Sequence, residues 1–236
     1  MNAMFLRRVS PRCSVGHHRF TEPAGPSLDR AVKSAYRRSV TRRLTQRGKE
    51  RRRQLMEYAA ARFSENGYHP TSVQEIVTGL GVGKGVFYWY FSSKEELFLE
   101  ILRDAQQDLR RRQMQAITDE ADPIRRIEKG IRASLAWAGD HRDLITLFQF
   151  AATEERFAPA LRRGQDIAID DVVRHVKEGI VAGRIRDGDP TLIAHAILGV
   201  TGHLSRIFIH ERSEPTSEVA DAAVTFCLEG ILARTA

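Results

Sequence analysis

Apolar residues recur at intervals of three and four positions from residue 46 onward, which is the spacing of one face of an amphipathic helix. No segment shows the sustained alternation between hairpin turns that is typical of strands. The pattern therefore predicts an all-α fold of about nine helices. The predicted helices cover 46–66, 73–80, 83–90, 93–116, 123 to beyond 135, 144–150, 159–183, 190–210 and 215–234.

Capping residues indicate where several of these helices begin and end. Thr71 with Gln74, and Ser93 with Glu96, match the capping box, in which a hydroxyl and a longer polar side chain satisfy backbone N–H groups at a helix start. An Asn-Gly pair ends the first predicted helix, and two Asp-Pro pairs begin later ones.

Residues 1–45 form a separate region that lacks any period and is rich in Arg, Ser, Pro, Gly and His. We expect it to be mostly disordered, with a short helix around 28–40. Its Arg and Ser content resembles that of an organelle-targeting peptide, which is a weak signal. An over-long start or a flexible basic arm fits the composition better.

Positive charge is concentrated at this end of the chain. The formal net charge is +7, yet residues 1–53 hold 15 Lys and Arg against 3 Asp and Glu, and the remaining 183 residues have a net charge of −5. This asymmetry indicates either an N-terminal surface that meets a polyanion or a solvated basic tail.

Composition argues against several other classes of protein. The two cysteines, Cys13 and Cys227, give neither a disulfide framework nor the spacing of a zinc site, and they fit a reducing cytosol. No run of about 18 apolar residues indicates a membrane span. We therefore expect no membrane association, no metal and no cofactor.

The stretch from Gly81 to Phe98, GVGKGVFYWYFSSKEELF, combines three glycines with a run of aromatic residues. A P-loop requires Ser or Thr after its lysine, and Gly85 occupies that position. A dinucleotide-binding fingerprint requires glycine at position 86, which is Val. Both nucleotide-binding patterns therefore fail.

A helix-turn-helix fits the same stretch better. Gly81 follows the helix predicted at 73–80 and supplies the positive φ of a tight turn into the helix at 83–90. Phe87 and Phe91 are expected in the core, and the role of Tyr90 stays open between core and phosphate contact. By helical spacing, Val86, Phe87 and Tyr90 face inward and Lys84, Gly85, Tyr88 and Trp89 face outward.

Residues 51–102 resemble the DNA-binding domain of the tetracycline-repressor (TetR) family. The family pattern runs F-x-x-x-G-Y, T-S/T-V-x-x-I, G-V-x-K-G and Y-x-x-F-x-S-K-E-x-L. This chain matches it at Phe63, Gly67, Tyr68, Thr71, Ser72, Val73, Ile76, Gly81, Val82, Lys84, Gly85, Tyr88, Phe91, Ser93, Lys94, Glu95 and Leu97. The resemblance implies a three-helix helix-turn-helix DNA-binding domain at 46–92 and a helical effector-binding and dimerisation domain at 93–236.

The resemblance also implies which residues meet DNA. The recognition helix is expected in the major groove, with Lys84 at a phosphate or a guanine edge and Val86 against a thymine methyl. The basic run 42–53 either reaches phosphates and the minor groove or is a solvated face. The implied DNA-binding residues are Arg51, Tyr68, Thr71, Ser72, Gly83, Lys84, Gly85, Val86, Tyr88, Trp89, Tyr90 and Lys94.

Three positions depart from the family pattern. Gly83 stands where Ser or Thr usually caps the recognition helix, and Val77 replaces a small alanine at the crossing of the two helices. Trp89 and Tyr90 replace a Tyr or Asn followed by His. The base preference of relatives therefore does not transfer to this chain.

The C-terminal region carries two further sets of candidates, each of which is alternatively ordinary core. The tentative effector-pocket residues are Trp137, Leu147, Phe148, Phe150, Phe157, His195, His203 and Arg206. The tentative dimer-interface residues are Ala196, Gly199, Gly202, Ala223, Phe226, Cys227 and Gly230.

Together these features predict a cytoplasmic, nucleoid-associated homodimer that represses transcription from a palindromic operator. An unknown hydrophobic or acylated small molecule is expected to release it. The alternatives are a transcriptional activator, a DNA-binding dimer without effector and, more remotely, a helical enzyme. No nucleophile–base signature supports an enzyme.

Overall fold

The structure is a computed structural model that describes residues 44–233. Helices account for most of this part of the chain, and the only strand-like feature within it is an isolated bridge between Ile185 and Leu232. The all-α prediction is confirmed, whereas the expectations for residues 1–43 lie outside the described residues. The nine α-helices are α1 Gln46–Asn66, α2 Val73–Gly79, α3 Lys84–Tyr90, α4 Lys94–Ile117, α5 Pro123–Asp140, α6 Arg142–Thr153, α7 Ala158–Val181, α8 Pro190–Leu204 and α9 Thr216–Ile231.

Most helix bounds follow the capping signals of the sequence. Gly67 ends α1 with a φ of 86°, a backbone conformation that glycine adopts without strain. At the start of α4, the Ser93 hydroxyl accepts a hydrogen bond from the backbone N–H of Glu96 at 3.0 Å. Asp122 and Asp189 cap α5 and α8, each followed by proline in the first turn.

The start of α2 differs from the prediction by one residue. Ser72 is the N-cap, because its hydroxyl accepts from the backbone N–H of Glu75 at 3.1 Å. Thr71 is fully buried, and its hydroxyl donates to the carbonyl of Gly67 at 2.8 Å. Adjacent hydroxyls both satisfy the capping pattern, and the tertiary contact of Thr71 decides between them.

The head, residues 46–92, packs α1, α2 and α3 around a small apolar core that includes Leu55, Ile76 and Phe87. This core continues without a break across the predicted domain boundary into α4, α6 and the start of α7. Five rings form the junction, which we call the aromatic cluster: Phe63, Tyr68, Phe98, Phe150 and Phe157.

Tyr68 lies at the centre of the aromatic cluster. Its ring centroid is 4.9 Å from that of Phe98, 5.1 Å from that of Phe157 and 5.5 Å from that of Phe150. These separations are those of favourable edge-to-face and stacked pairs. The head is therefore packed directly onto α6 and α7 as well as being continuous with α4.

The body, the described part of residues 93–236, has a second hydrophobic core between α5, α7, α8 and α9. Ile127, Ile131 and Leu135 recur along one face of α5 and are buried there. Val176 of α7 and Ile197 of α8 belong to the same core. The period of three and four residues in the sequence reflects this packing.

The helix that begins at Pro190 changes its winding after Leu204 and continues as a π-helix over Ser205–Glu211. Residues Pro190–Glu211 are long and apolar enough to span a membrane by length and composition alone, which the sequence reading did not expect. In the structure, Ile193, Ile197 and Ile209 of this helix are buried in the core of the body. The buried apolar residues of this helix thus pack against α7 and α9.

Candidate functional site

The recognition helix α3 is held against α2 by a four-residue turn. Gly81 adopts a φ of 64°, as the sequence predicted, and leaves its Cβ position open. The backbone N–H of Val82 donates to the carbonyl of Val77 at 2.9 Å, which ties the turn to α2. Gly83 is the N-cap of α3 and makes no side-chain capping bond, so no capping side chain satisfies the first backbone N–H groups of the helix.

Helix α3 divides its residues sharply between core and surface. Phe87 is fully buried, whereas the exposed fractions of Tyr88 and Trp89 are 55% and 50%. Lys84 and Gly85 are exposed on the same side. This outward face, two large aromatic side chains beside a lysine and a bare backbone, is the face that sequence spacing predicted.

A shallow depression of about 450 Å³ separates the exposed face of α3 from the first turn of α1. The Tyr90 hydroxyl lies 3.7 Å from the Cβ position of Gly48, so this half-buried side chain bridges the two helices. The depression is lined by Thr45, Arg47, Gly48 and Arg51 of the first helix and its cap, and by Gly85, Val86, Trp89 and Tyr90 of the second.

The α1 side of this depression has the chemistry of a phosphate contact. Thr45 caps α1 by accepting from the N–H of Gly48 at 3.2 Å, and the positive end of the helix points to the depression beside Arg47 and Arg51. Backbone N–H groups, a helix N-terminus and arginines together favour an anionic oxygen. The sequence had named Arg51 and the basic run 42–53, which contains Arg47, as candidates here; it did not name Thr45, for which a capping hydroxyl before α1 was the available signal.

Other arginines of the basic run are engaged within the protein. Arg52 pairs with Glu100 of α4 at 2.5 Å, and its guanidinium lies 5.2 Å from the ring centroid of Phe91. Arg53 pairs with Glu50 at 2.7 Å on the exposed side of α1. The run is therefore neither wholly a DNA contact nor wholly a solvated face.

Two residues implied as DNA contacts are turned into the protein. Tyr68 is 5% exposed at the centre of the aromatic cluster, and burial raises the pKa of its hydroxyl. Thr71 is fully buried beside Gly67. Their match to the family pattern thus reflects core packing, while Ser72 remains exposed at the start of α2.

Lys94, which is half-buried, is hydrogen-bonded within the protein. Its ammonium donates to the carbonyls of Tyr68 at 2.8 Å and Thr71 at 2.9 Å, and it lies 4.3 Å from the Tyr68 ring centroid. Burial is the main cause that lowers the pKa of this ammonium, and the nearby positive charge of Arg156 lowers it further. Lys94 therefore clamps the loop before α2 to the start of α4, and its implied phosphate contact stays a prediction.

Replacing Lys94 by methionine is expected to lower the free energy of unfolding by about 2 kcal/mol, because carbonyl groups in the loop lose their donor. Denaturant-induced unfolding measures the change. Lys84→Met is the matched control: Lys84 is exposed on α3, so its removal should weaken DNA binding and leave stability within about 0.5 kcal/mol. If Lys94→Met instead reduces DNA binding at unchanged stability, Lys94 is a DNA contact after all.

The sequence is similar to those of known proteins. The chain is 25% identical over 168 residues to the uncharacterized HTH-type transcriptional regulator YhgD of Bacillus subtilis, covering 70% of this chain and 87% of YhgD. It is 34% identical over 99 residues to the HTH-type transcriptional repressor KstR2 of Mycobacterium tuberculosis, 42% of this chain and 50% of KstR2. It is 25% identical over 152 residues to the fatty acid metabolism regulator protein of B. subtilis, 62% of this chain and 77% of that protein.

The solved structure of the ketosteroid regulator KstR2 superposes on 81% of this chain and 98% of its own, with a TM-score of 0.63 and 27% identity. Residues 55–101, which span most of the head and the start of α4, match the family described as bacterial regulatory proteins, tetR family. The chain thus carries a TetR-family DNA-binding domain. It is a DNA-binding transcriptional regulator, and its relatives confirm the prediction that it is not an enzyme.

The structure of the body divides the predicted pocket residues among three places. Phe150 and Phe157 belong to the aromatic cluster, and Leu147 packs in the same core. Trp137 is buried between helices, where its indole N–H donates to Asp108 at 2.8 Å and its ring stacks on His141 at 4.6 Å and on Phe148 at 6.0 Å. The remaining three, His195, His203 and Arg206, are exposed along α8 and its π-helical continuation.

The predicted dimer residues separate by burial. Ala223 and Cys227 face the core of the body, and burial raises the pKa of the Cys227 thiol. Phe226 on the opposite side of α9 is 67% exposed. The other four, Ala196, Gly199, Gly202 and Gly230, are all exposed. Small residues thus lie on exposed faces of α8 and α9.

Proposed function

We propose that this regulator is a homodimeric repressor that binds a palindromic operator and is released by an apolar or acylated small molecule. The observation that carries the proposal is that one chain has two separate exposed surfaces. One is the outward face of α3, with Lys84, Tyr88 and Trp89. The other is the apolar face along α8 and α9.

The exposed face of α8 and α9 has the composition of a helix-packing interface. Leu192 is 68% and Phe226 67% exposed, and glycines 199, 202 and 230 lie between such apolar groups with open Cβ positions. Exposed apolar patches of this kind mark sites of association. Pairing two copies about a two-fold axis would present two recognition helices about 34 Å apart, one helical turn of DNA.

Communication between body and head has two routes in this fold. Helix α4 runs from the head into the body, and the aromatic cluster packs α6 and α7 onto the same head. A change in the packing of α6 or α7 would therefore reach the spacing of the two recognition helices. Converting a 1:99 population of the released state to 99:1 requires a ligand preference of about 5.5 kcal/mol for that state.

The class of effector is supported by the relatives. KstR2 is described as a repressor and a ketosteroid regulator, and another relative as a regulator of fatty acid metabolism. Both names involve apolar molecules, in keeping with a body rich in Ile, Leu and Phe. Because its proposed partner is chromosomal DNA, the proposal includes a cytoplasmic location.

A second candidate is a DNA-binding dimer that responds to no effector, whether as repressor or activator. It is favoured by the separation of the predicted pocket residues and by the shape of the described body. The concave regions that stand out among residues 44–233 are shallow and open: one is the depression at α3, and the other lies along α4 at Gln107, Arg110 and Met114.

Selection of bound fragments from random DNA tests the proposal. We expect enrichment of a palindrome with half-site centres about 10 bp apart, or a multiple of that spacing. The logarithm of affinity should fall linearly with that of salt concentration, by about 0.9 per phosphate contact. Fatty acids, acyl thioesters and steroids are then tested for release.

Each outcome separates the candidates. Release by one of these compounds supports the effector-responsive repressor, and release by none of a broad panel supports the dimer without effector. Failure to enrich any palindrome, or affinity that does not depend on salt, contradicts both.

A further inference from the structure

Tyr90, the last residue of the recognition helix, lies between the two walls of the depression beside α3. Its half-buried ring packs against the core of the head. Its hydroxyl, at the far end of the ring, is 3.7 Å from the Cβ position of Gly48 in the first turn of α1. The side chain of Tyr90 therefore extends from the core to the wall of the depression that carries Arg47 and Arg51.

Tyr90 also contacts the exposed aromatic residue that precedes it. The ring centroids of Trp89 and Tyr90 are 4.5 Å apart, and the ring planes are inclined at 82°. This is the favourable edge-to-face arrangement of aromatic pairs. Neighbouring residues of an α-helix point about 100° apart and do not normally face each other. The contact therefore depends on how the two side chains are oriented and is not imposed by helix spacing.

The two rings differ in what holds them. Trp89 is 50% exposed on the outward face of α3, so much of its indole has water as its neighbour. A large side chain that becomes ordered only on binding loses rotamer freedom at that moment, which weakens affinity. Tyr90 is anchored in the head core at one end and meets α1 at the other. It is thus placed to restrict the indole of Trp89 before DNA is bound.

We propose that Tyr90 is a positioning residue for DNA recognition. Its ring holds the indole of Trp89 in the orientation that meets DNA, and Tyr90 itself makes no phosphate contact. The ring carries this role, because the contact with Trp89 is made by the ring, whereas the hydroxyl lies beside Gly48 of α1. The inference rests on the proposed function, because DNA is taken as the partner of α3.

The first test is a double-mutant cycle in the full-length chain. It compares the natural protein with Trp89→Ala, Tyr90→Ala and the variant that carries both changes. Tyr90→Phe is the matched control, because it keeps the ring and removes only the hydroxyl. The probe is a mixed-sequence duplex of about 40 bp, about four helical turns, and the readout is affinity against salt concentration. Thermal unfolding shows whether each variant is folded at the assay temperature.

We expect Trp89→Ala to bind about tenfold more weakly, the effect of losing one aromatic contact, and Tyr90→Ala at least about threefold more weakly. The double variant should bind within about twofold of Trp89→Ala, because a residue that acts through Trp89 has nothing to act on once Trp89 is gone. Tyr90→Phe should bind within about twofold of the natural protein and keep its salt slope.

Three results of the cycle would overturn the inference. The first is unchanged affinity in either single alanine variant, and the second is a double variant whose loss is the product of the two single losses. The third is a Tyr90→Phe variant as weak as Tyr90→Ala, with a log–log salt slope shallower by about 0.9, because the hydroxyl would then be a phosphate contact.

The second test observes Trp89 without DNA. The chain has two tryptophans, so Trp137→Phe leaves Trp89 as the only one. In this background, Tyr90→Ala should lower the fluorescence anisotropy of Trp89 and increase its quenching by acrylamide, whereas Tyr90→Phe should change neither. Equal anisotropy and quenching in all three proteins would show that Tyr90 does not hold the indole, which overturns the inference.

The two tests separate this inference from the function on which it rests. The duplex carries no operator, so neither result depends on whether a palindrome is enriched. If the natural protein fails to bind the duplex, DNA binding itself is contradicted, and the role of Tyr90 falls with it. If the natural protein binds and the cycle or the fluorescence gives one of the contrary results, only the role of Tyr90 is overturned.

Discussion

Changing Gly85 to aspartate should lower the affinity for operator DNA by about 100-fold, the equivalent of losing one or two base or phosphate contacts. Gly85 is exposed on α3, next to Lys84, and a Cβ added there meets no atom within 4 Å. The new carboxylate would project from the bare backbone towards DNA and repel its phosphates. The loss is expected in binding alone.

The fold should tolerate the same change. Gly85 is the second residue of α3, where a negative side chain interacts favourably with the helix dipole, and glycine inside a helix costs about 1 kcal/mol relative to alanine. We therefore expect the free energy of unfolding to stay the same or to rise slightly. If stability is unchanged or higher while DNA binding falls strongly, Gly85 belongs to a surface that contacts DNA and is not needed for the fold.

Two controls complete this experiment, which gel-shift titration and denaturant unfolding measure. Gly85→Ala adds volume without charge and should bind within about tenfold of the natural chain, because a methyl group disturbs at most one contact. Val181→Asp adds the same charge at a position on the body that is 90% exposed, and should bind normally. Unchanged DNA binding by Gly85→Asp would place the reading face elsewhere.

Several local elements of the chain were predictable because each depends on residues close in sequence. The turn glycine Gly81, the caps of α4 and α5, and the division of α3 between Phe87 and Trp89 all follow from spacing within a few residues. The same local rule also explains the error at α2. Thr71 and Ser72 are equivalent in the pattern, and only the carbonyl of Gly67 beside Thr71 distinguishes them.

The roles that sequence could not assign depend on contacts between distant residues. Lys94 looked like a surface lysine, but its ammonium is bound to carbonyls more than twenty positions earlier. Phe150 and Phe157 looked like pocket residues, yet their ring partner Tyr68 comes from the head. An aromatic residue at helical spacing indicates that the side chain is buried. Which ring it packs against is decided only by how the helices pack together.

Among the residues of the aromatic cluster, substitution of Phe157 should most weaken the packing of the head against the body. It is fully buried, and its ring centroid lies 4.5 Å from that of Phe98 on α4 and 5.1 Å from that of Tyr68. Phe157→Ala should lower the free energy of unfolding by about 3–5 kcal/mol, the usual cost of deleting a buried phenyl ring. Denaturant unfolding at fixed protein concentration measures it, since association also contributes to stability.

Phe226→Ala is the matched control, because Phe226 lies on the exposed face of α9. It should cost the folded subunit less than about 1 kcal/mol, as expected for a surface site, while weakening association of two copies. If Phe226→Ala unfolds the subunit as readily as Phe157→Ala, the exposed face of α9 is part of the subunit core.

A gentler variant tests whether the aromatic cluster couples the two parts. Phe157→Leu keeps most of the volume and should cost about 1–2 kcal/mol, leaving a folded protein. Hydrogen exchange should then show faster opening of the head, α1 to α3, than of the second core between α5, α7, α8 and α9, because the cluster belongs to the core of the head and not to the second core. If hydrogen exchange speeds up equally in the head and in the second core, the head and the body open as one unit. The aromatic cluster would then not be a route of coupling distinct from α4.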